Sequence, residues 1–271
     1  MKRFTLFCLW FCLFLSATSL ADDYLKQLDA WHAKRISKLA SEDGYLTLSG
    51  LHWVRDKVVN VPGFGTAALR DGKIVLWVNC VHGADCAECV STVLDPELPE
   101  GEHRVRKGTR SAYAIKRGPW IGIRVKDSQA PARTGFQGVE RFPVERDWIL
   151  KGELVPADEQ VAIESVVGVA TQEASPGWAQ FQYGGKTYKA RLIGAPEDEK
   201  FFLVFSDASA GKTTYPACRF LTVEREGEAG LVLDFNKAIN PACAFSRYAT
   251  CPLPPEENVF PFSIEVGEKK P

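Results

Sequence analysis

The chain has 271 residues, 45% of them apolar, and nearly balanced charge, with 33 basic and 34 acidic side chains. That composition excludes a disordered polyelectrolyte and a dedicated nucleic-acid binder, and it supplies enough apolar surface for a sizeable core. The length allows one large domain or two small ones.

At the start, Lys2 and Arg3 precede an apolar run from Phe4 to Leu15, and the small and polar Ser-Ala-Thr-Ser-Leu-Ala follows up to Ala21. This is the three-part layout of a secretion signal, and the run is too short for the roughly 20 residues of a membrane-spanning helix. Residues 1–21 are therefore expected to be removed, with Asp22 opening a mature chain that is periplasmic or secreted. Cys8 and Cys12 lie inside the apolar run beside Trp10 and Phe11, which argues against a lipid anchor. No later segment is apolar for long enough to span a bilayer. Without Lys2 and Arg3 the mature chain carries 31 basic and 34 acidic residues, a formal charge of −3, and no nucleic-acid partner is expected.

Residues 22–41 read as one amphipathic helix, because Leu28, Trp31, Arg35 and Leu39 recur near helical spacing and Gly44 closes the segment. Short alternating runs then predict antiparallel strands at Tyr45 to Leu48, Ala67 to Arg70, Ile74 to Val78, Val90 to Leu94, His103 to Lys107, Ala112 to Lys116 and Ile121 to Val125. A second set follows Pro156, at Val161 to Ser165, Gly177 to Tyr183, Lys186 to Leu192, Phe201 to Ser206, Arg219 to Glu224, Leu231 to Phe235 and Phe262 to Val266. Tyr183-Gly-Gly-Lys186 is a hairpin signal. The expected fold class is mainly β with an N-terminal helix. Its strands form either two β modules, over 42–150 and 151–271, or one barrel-like domain.

Six cysteines remain after the leader, and an even count in an exported chain favours disulfides. Cys243 and Cys251 flank a seven-residue loop and are the favoured pair, and a bridge between Cys80 and Cys89 across a hairpin is plausible, with Cys86 able to replace either. A metal set of Cys80, Cys86 and Cys89 with His82 or Cys218 is the rival reading, but only one short-spaced ligand pair is present, so no metal is expected. The Cys86-x-x-Cys89 spacing lacks the strand-helix setting of thiol exchange. No cofactor motif is present either.

Phe205-Ser-Asp-Ala-Ser-Ala-Gly-Lys-Thr-Thr-Tyr215, Arg219-Phe-Leu, Leu233-Asp-Phe-Asn-Lys-Ala-Ile-Asn-Pro-Ala-Cys-Ala-Phe245 and Ala249-Thr-Cys-Pro-Leu-Pro-Pro-Glu-Glu-Asn258 carry most of the polar information. With Gly44 to Trp53 and Arg124 to Phe136, these stretches resemble the domain of unknown function 1684 family across nearly all of the mature chain. The chain departs from that pattern at Pro216, Cys218 and Ile239, and Cys80, Cys86 and Cys89 are not part of it. The family implies no activity. It shares Arg124, Asp127 and Arg133, which implies an Arg-Asp core pair.

Two constellations follow. Asp207, Tyr215, Arg219, Asp234, Asn236 and Asn240 either line a ligand site or serve structure, with Asp207 and Asn240 in turns and Arg219 paired with Asp234. In a strand, Asp234 and Asn236 share one face. Between Arg104 and Arg133 stand nine basic residues against one acidic, Asp127, so Arg124 and Arg133 with Asp127 either attract an anion or line a solvated strand face. Hydrolase, zincin, phosphate-loop and dinucleotide motifs are absent, and His52 is the best histidine for proton transfer. The leading expectation is a β-rich exported protein that binds a small anion or an envelope polymer. A hydrolase using Asp207 or Asp234 with Tyr215 or His52, and a structural envelope protein without ligand, are the alternatives.

Overall fold

A computed structural model of the protein describes residues 5–79 and 90–271, with side chains from residue 22 onward in that range. Cys80, His82, Cys86 and Cys89 lie outside the described residues, and with them the expected hairpin bridge and its metal alternative.

Helix α1 (Thr5–Leu39) is continuous through the leader stretch and the amphipathic segment. Among the described residues, no helix is long and apolar enough to cross a membrane. Residues 40–271 form one compact unit built mainly from strands, as the alternating pattern predicts.

Its strands are β1 (Leu48–Val54), β2 (Val59–Val61), β3 (Gly65–Arg70), β4 (Lys73–Val78), β5 (Val90–Leu94), β6 (Val105–Lys107), β7 (Arg110–Arg117) and β8 (Trp120–Asp127). After the one-turn helix α2 (Pro131–Thr134) come β9 (Ile149–Glu164), β10 (Ala170–Tyr183), β11 (Lys186–Arg191), β12 (Lys200–Asp207), β13 (Arg219–Glu226), β14 (Gly230–Asp234) and β15 (Val259–Phe260). Two four-stranded sheets, ordered β1-β8-β7-β6 and β2-β3-β4-β5, are followed by a seven-stranded sheet ordered β11-β10-β9-β14-β13-β12-β15.

The two small sheets share a core of Val54, Val61, Phe64, Ile74, Leu76, Leu94, Ile123 and Val125. Burying those apolar faces against each other is what makes two short sheets stable, since neither could hide its own face. The large sheet closes over an aromatic-rich core in which Phe181, Phe201, Phe205, Phe235 and Phe260 are all buried. Phe205 and Phe235 meet edge to face at 5.3 Å, the geometry that aligns ring edge with ring face. A third cluster, Leu48, Ala249 and Cys251, ties β1 to the segment between β14 and β15.

The predicted hairpin is present: Tyr183 pairs with Lys186 across Gly184 and Gly185, both with positive φ as the tight turn requires. Pro156 does not precede the second set of strands but lies inside β9, opposite Gly177 at a break in register. Proline has no N–H for the ladder, and the bulge is where none is needed. Gly177 has φ +123, and a Cβ there would lie 2.2 Å from the Val155 carbonyl oxygen.

Three further expectations change. Tyr45–Thr47 is a 3-10 turn, so the first strand starts only at Leu48. The strand expected at His103 begins at Val105. Residues 262–266 join no sheet, because side chains of Asp207 and Arg219 take backbone groups of Ile264 and Val266.

Candidate functional site

The first polar constellation is a clasp on the C-terminal segment. Asp207 ends β12 and Arg219 opens β13, and the two meet at 2.9 Å, both almost wholly buried. Arg219 also donates to the carbonyls of Ile264 and Val266, each at 2.6 Å. Asp207 accepts from the backbone N–H of Ser209 at 2.9 Å and of Ile264 at 3.1 Å, and from the Ser209 hydroxyl. Arg219 thus pairs with Asp207 rather than with Asp234. Asp207 faces Arg219 across the β12–β13 ladder, in which Phe205 is opposite Arg219, whereas β14 meets β13 at Glu224 to Glu226 and carries Asp234 opposite Ile149 of β9.

Asn236 does not continue β14 but sits in a 3-10 turn, Phe235–Lys237. From there it still reaches Asp234 at 3.2 Å, and it brackets Glu145 by accepting its N–H at 3.0 Å and donating to its carbonyl at 2.9 Å. Asp234 is also 3.4 Å from Lys237. The Asn240 N–H donates to the buried Glu268 at 2.6 Å, and its amide to the Lys269 carbonyl at 2.7 Å. The Tyr215 hydroxyl donates to the Cys243 carbonyl at 3.0 Å. Asp234 and Tyr215 are therefore held by different partners, and these six side chains spend polar atoms on the protein itself.

The second constellation separates in another way. Side chains alternate along β8, so Arg124 and Asp127, three residues apart, leave opposite faces. Asp127 instead faces Arg110 at 3.9 Å and accepts the Gln129 N–H, so the expected Arg124–Asp127 pair is not formed. Arg133 binds two carbonyls, of Ala40 at 2.9 Å and of Ser128 at 2.7 Å, and fixes the loop after β8.

Three of the nine basic residues are neutralised by acids from outside their own stretch. Lys126 reaches Glu100 at 2.8 Å, Arg104 reaches Asp43 at 2.5 Å, and Lys116 reaches Glu97 at 2.6 Å. Arg117 and Arg124 differ. Tyr113 is directly opposite Arg124 and lies four residues before Arg117, so period-two alternation puts both arginines on one face of the β7–β8 hairpin. Both guanidinium groups converge on one hydroxyl: Arg117 Nε and Arg124 Nη2 each donate to Thr250 Oγ1 at 3.0 Å. Arg124 is only 6% exposed, and its Nε has no hydrogen-bond partner. Among the described residues, no carboxylate lies within ion-pair distance of either. Burial and then the neighbouring Arg124 charge hold the Arg117 guanidinium below its usual pKa, while Glu173 acts on it only from farther away.

Thr250 is held in place by its flanks, since the Val166 N–H donates to the Cys251 carbonyl at 2.9 Å and the Leu253 N–H to that of Glu164 at 2.7 Å. Beside it opens a cavity of about 330 Å³ lined by Lys116, Arg117, Thr171, Glu173, Phe202 and Thr250, among others. That volume is at the small end of ligand pockets. Arg117 opens on this cavity beside the Thr250 hydroxyl and can accept an anion by charge-assisted hydrogen bonds, while Arg124, which shares Thr250 without lining the cavity, adds positive charge. Arg117 and Thr250 escape sequence reading as site residues, although Arg117 belongs to the basic stretch and Thr250 to a quoted motif. Nothing local shows that residues 133 apart share a hydrogen bond.

His52 lies on β1 opposite Ile123, half-buried, and burial followed by the Arg110 charge pushes its pKa down, so it is neutral near pH 7. Cys243 and Cys251 are adjacent but unbonded: both are free thiols, and the Cys243 N–H donates to Cys251 Sγ at 3.1 Å.

A family model described as a protein of unknown function, DUF1684, matches residues 134–269. The match begins after Gly44 to Trp53 and after Arg124, Asp127 and Arg133, and takes in only the last three residues of the stretch Arg124 to Phe136. The solution NMR structure of an uncharacterised protein of Haloarcula marismortui is similar over 51% of this chain and 78% of that one, with 22% identity and a TM-score of 0.43. No curated protein matches the chain.

Proposed function

Because this chain belongs to the DUF1684 family of proteins of unknown function, a membership that brings no activity with it, we propose a function from the cleft itself: an exported β-rich protein that binds a small anion at Arg117 and Thr250, with the Arg124 charge reinforcing the site through Thr250. The observation that carries this reading is the convergence of two guanidinium groups on one hydroxyl with no carboxylate partner. Charges in a protein interior are costly unless paired, and a bound anion supplies the missing partner. The cavity of about 330 Å³ favours a compact anion over an extended envelope polymer. Glu164 and Glu173 also line it, which favours a ligand whose negative charge sits at one end. The leader layout at residues 1–21 supports export.

Isothermal titration of the purified chain with inorganic phosphate and with citrate, at low ionic strength, tests the site. Arg117→Met is expected to weaken binding roughly 10- to 100-fold, the range for losing a hydrogen bond to a charged group, and Arg124→Met by a smaller factor through the lost charge. Equal affinity of wild type and both variants, with circular dichroism showing all three folded, overturns the reading.

A further inference from the structure

Three thiols from separate parts of the chain gather where the segment after β14 crosses β1. Cys218 immediately precedes β13, Cys243 lies in the 3-10 turn Ala242–Ala244, and Cys251 follows Thr250. They differ in access and in contacts. Cys218 and Cys251 are 1% and 6% exposed, whereas Cys243 is half-buried. Cys251 Sγ accepts the Cys243 N–H at 3.1 Å, which sets the two cysteines side by side. Cys218 instead turns to the Pro252 carbonyl at 3.5 Å.

We propose that Cys243 and Cys251 are a dithiol–disulfide couple that a small-molecule disulfide oxidises, with Cys243 the attacking sulfur, Cys251 the resolving one, and Cys218 a bystander. The Cys243 thiolate attacks one sulfur of the small disulfide, forming a mixed disulfide and expelling one small thiolate. Cys251 then loses its proton and attacks Cys243 Sγ, which expels the second small thiolate. The pair gives up two electrons and two protons, and the small disulfide becomes two thiols. The seven-residue loop between the cysteines is short enough to keep the second step intramolecular.

The order of attack follows from local electrostatics. The neighbouring Cys251, against the effect of burial and with a smaller contribution from Tyr215, brings the Cys243 thiol down to about 7 from an ordinary value of 9.0. The hydrogen bond to Cys243 and then burial push the Cys251 thiol up, and burial does the same for Cys218. Near neutral pH only Cys243 of the three is substantially thiolate, which is the nucleophilic form. The groups facing Cys243 are Cys251, Cys218 and Tyr215.

Oxidised glutathione added to the full chain, followed by intact mass and peptide mapping, tests the couple. Wild type is expected to lose two hydrogens, retain no glutathione on these three positions, and show a Cys243–Cys251 bond. Cys251→Ser is expected to trap one glutathione on Cys243, and Cys243→Ser to leave both Cys251 and Cys218 unmodified. On wild type, which needs no variant to fold, the reaction rate should reach half its plateau near pH 7 rather than near pH 9. A bond mapped to Cys218, undiminished labelling in Cys243→Ser, a persistent adduct on wild-type Cys243, or half-plateau near pH 9 would each overturn the proposal.

Discussion

Arg219 shows how one side chain can decide the path of a whole segment. Its guanidinium is 1% exposed and holds Asp207, Ile264 and Val266 at once, so a buried charge is both paired and hydrogen-bonded. Replacing it by Met leaves the Asp207 carboxylate buried without its cation. The expected loss of stability is about 3–5 kcal/mol, read as a lower urea midpoint, whereas a change under about 1 kcal/mol would mean that the clasp is incidental. The sequence marks Arg219 and Asp207 as residues needing partners but does not match them. Sequence reading matches Arg219 with Asp234, whereas the fold pairs it with Asp207. Arg124 carries the same lesson, because strand alternation parts it from Asp127 and turns it towards Thr250.

Among the elements, the β9–β10 pair is the longest ladder and depends on one irregularity. Pro156 and Gly177 face each other where the register shifts, so a residue without an N–H meets a residue without a side chain. Ala at 177 would combine a φ of +123 with a Cβ 2.2 Å from a backbone oxygen. Ala at Gly184 needs a positive φ as well, but has open space around it. Thermal unfolding should therefore rank the two, with Gly177→Ala costing more than about 2 kcal/mol and Gly184→Ala about 1 kcal/mol. Equal costs would show that the close approach at the bulge relaxes freely. The hairpin at Gly184 and Gly185 was legible because its turn is local. The bulge was not, since a Pro followed elsewhere by a Gly declares no pairing.

For the molecule as a whole, apolar alternation produces two small sheets around one core and a large sheet around an aromatic one, with the candidate anion cleft lined by β7 of a small sheet and by β9, β10 and β12 of the large one. Export is the proposal that belongs to this scale. Expression with the native leader, followed by fractionation and N-terminal mapping, is expected to recover a chain starting at Asp22 outside the cytoplasm. Recovery of cytoplasmic protein that still begins at Met1 would sink it.

By itself the sequence determined the β class, most strand positions, the two-glycine hairpin and the family, because each is written in neighbouring residues or in a period of two. Tertiary structure alone decided which charges meet: Arg219 with Asp207, Lys126 with Glu100, and Arg117 with Arg124 at Thr250. The physical reason is that an ion pair or a shared hydrogen bond depends on distance in space, and residues far apart in the chain become neighbours only when sheets pair and their apolar faces close.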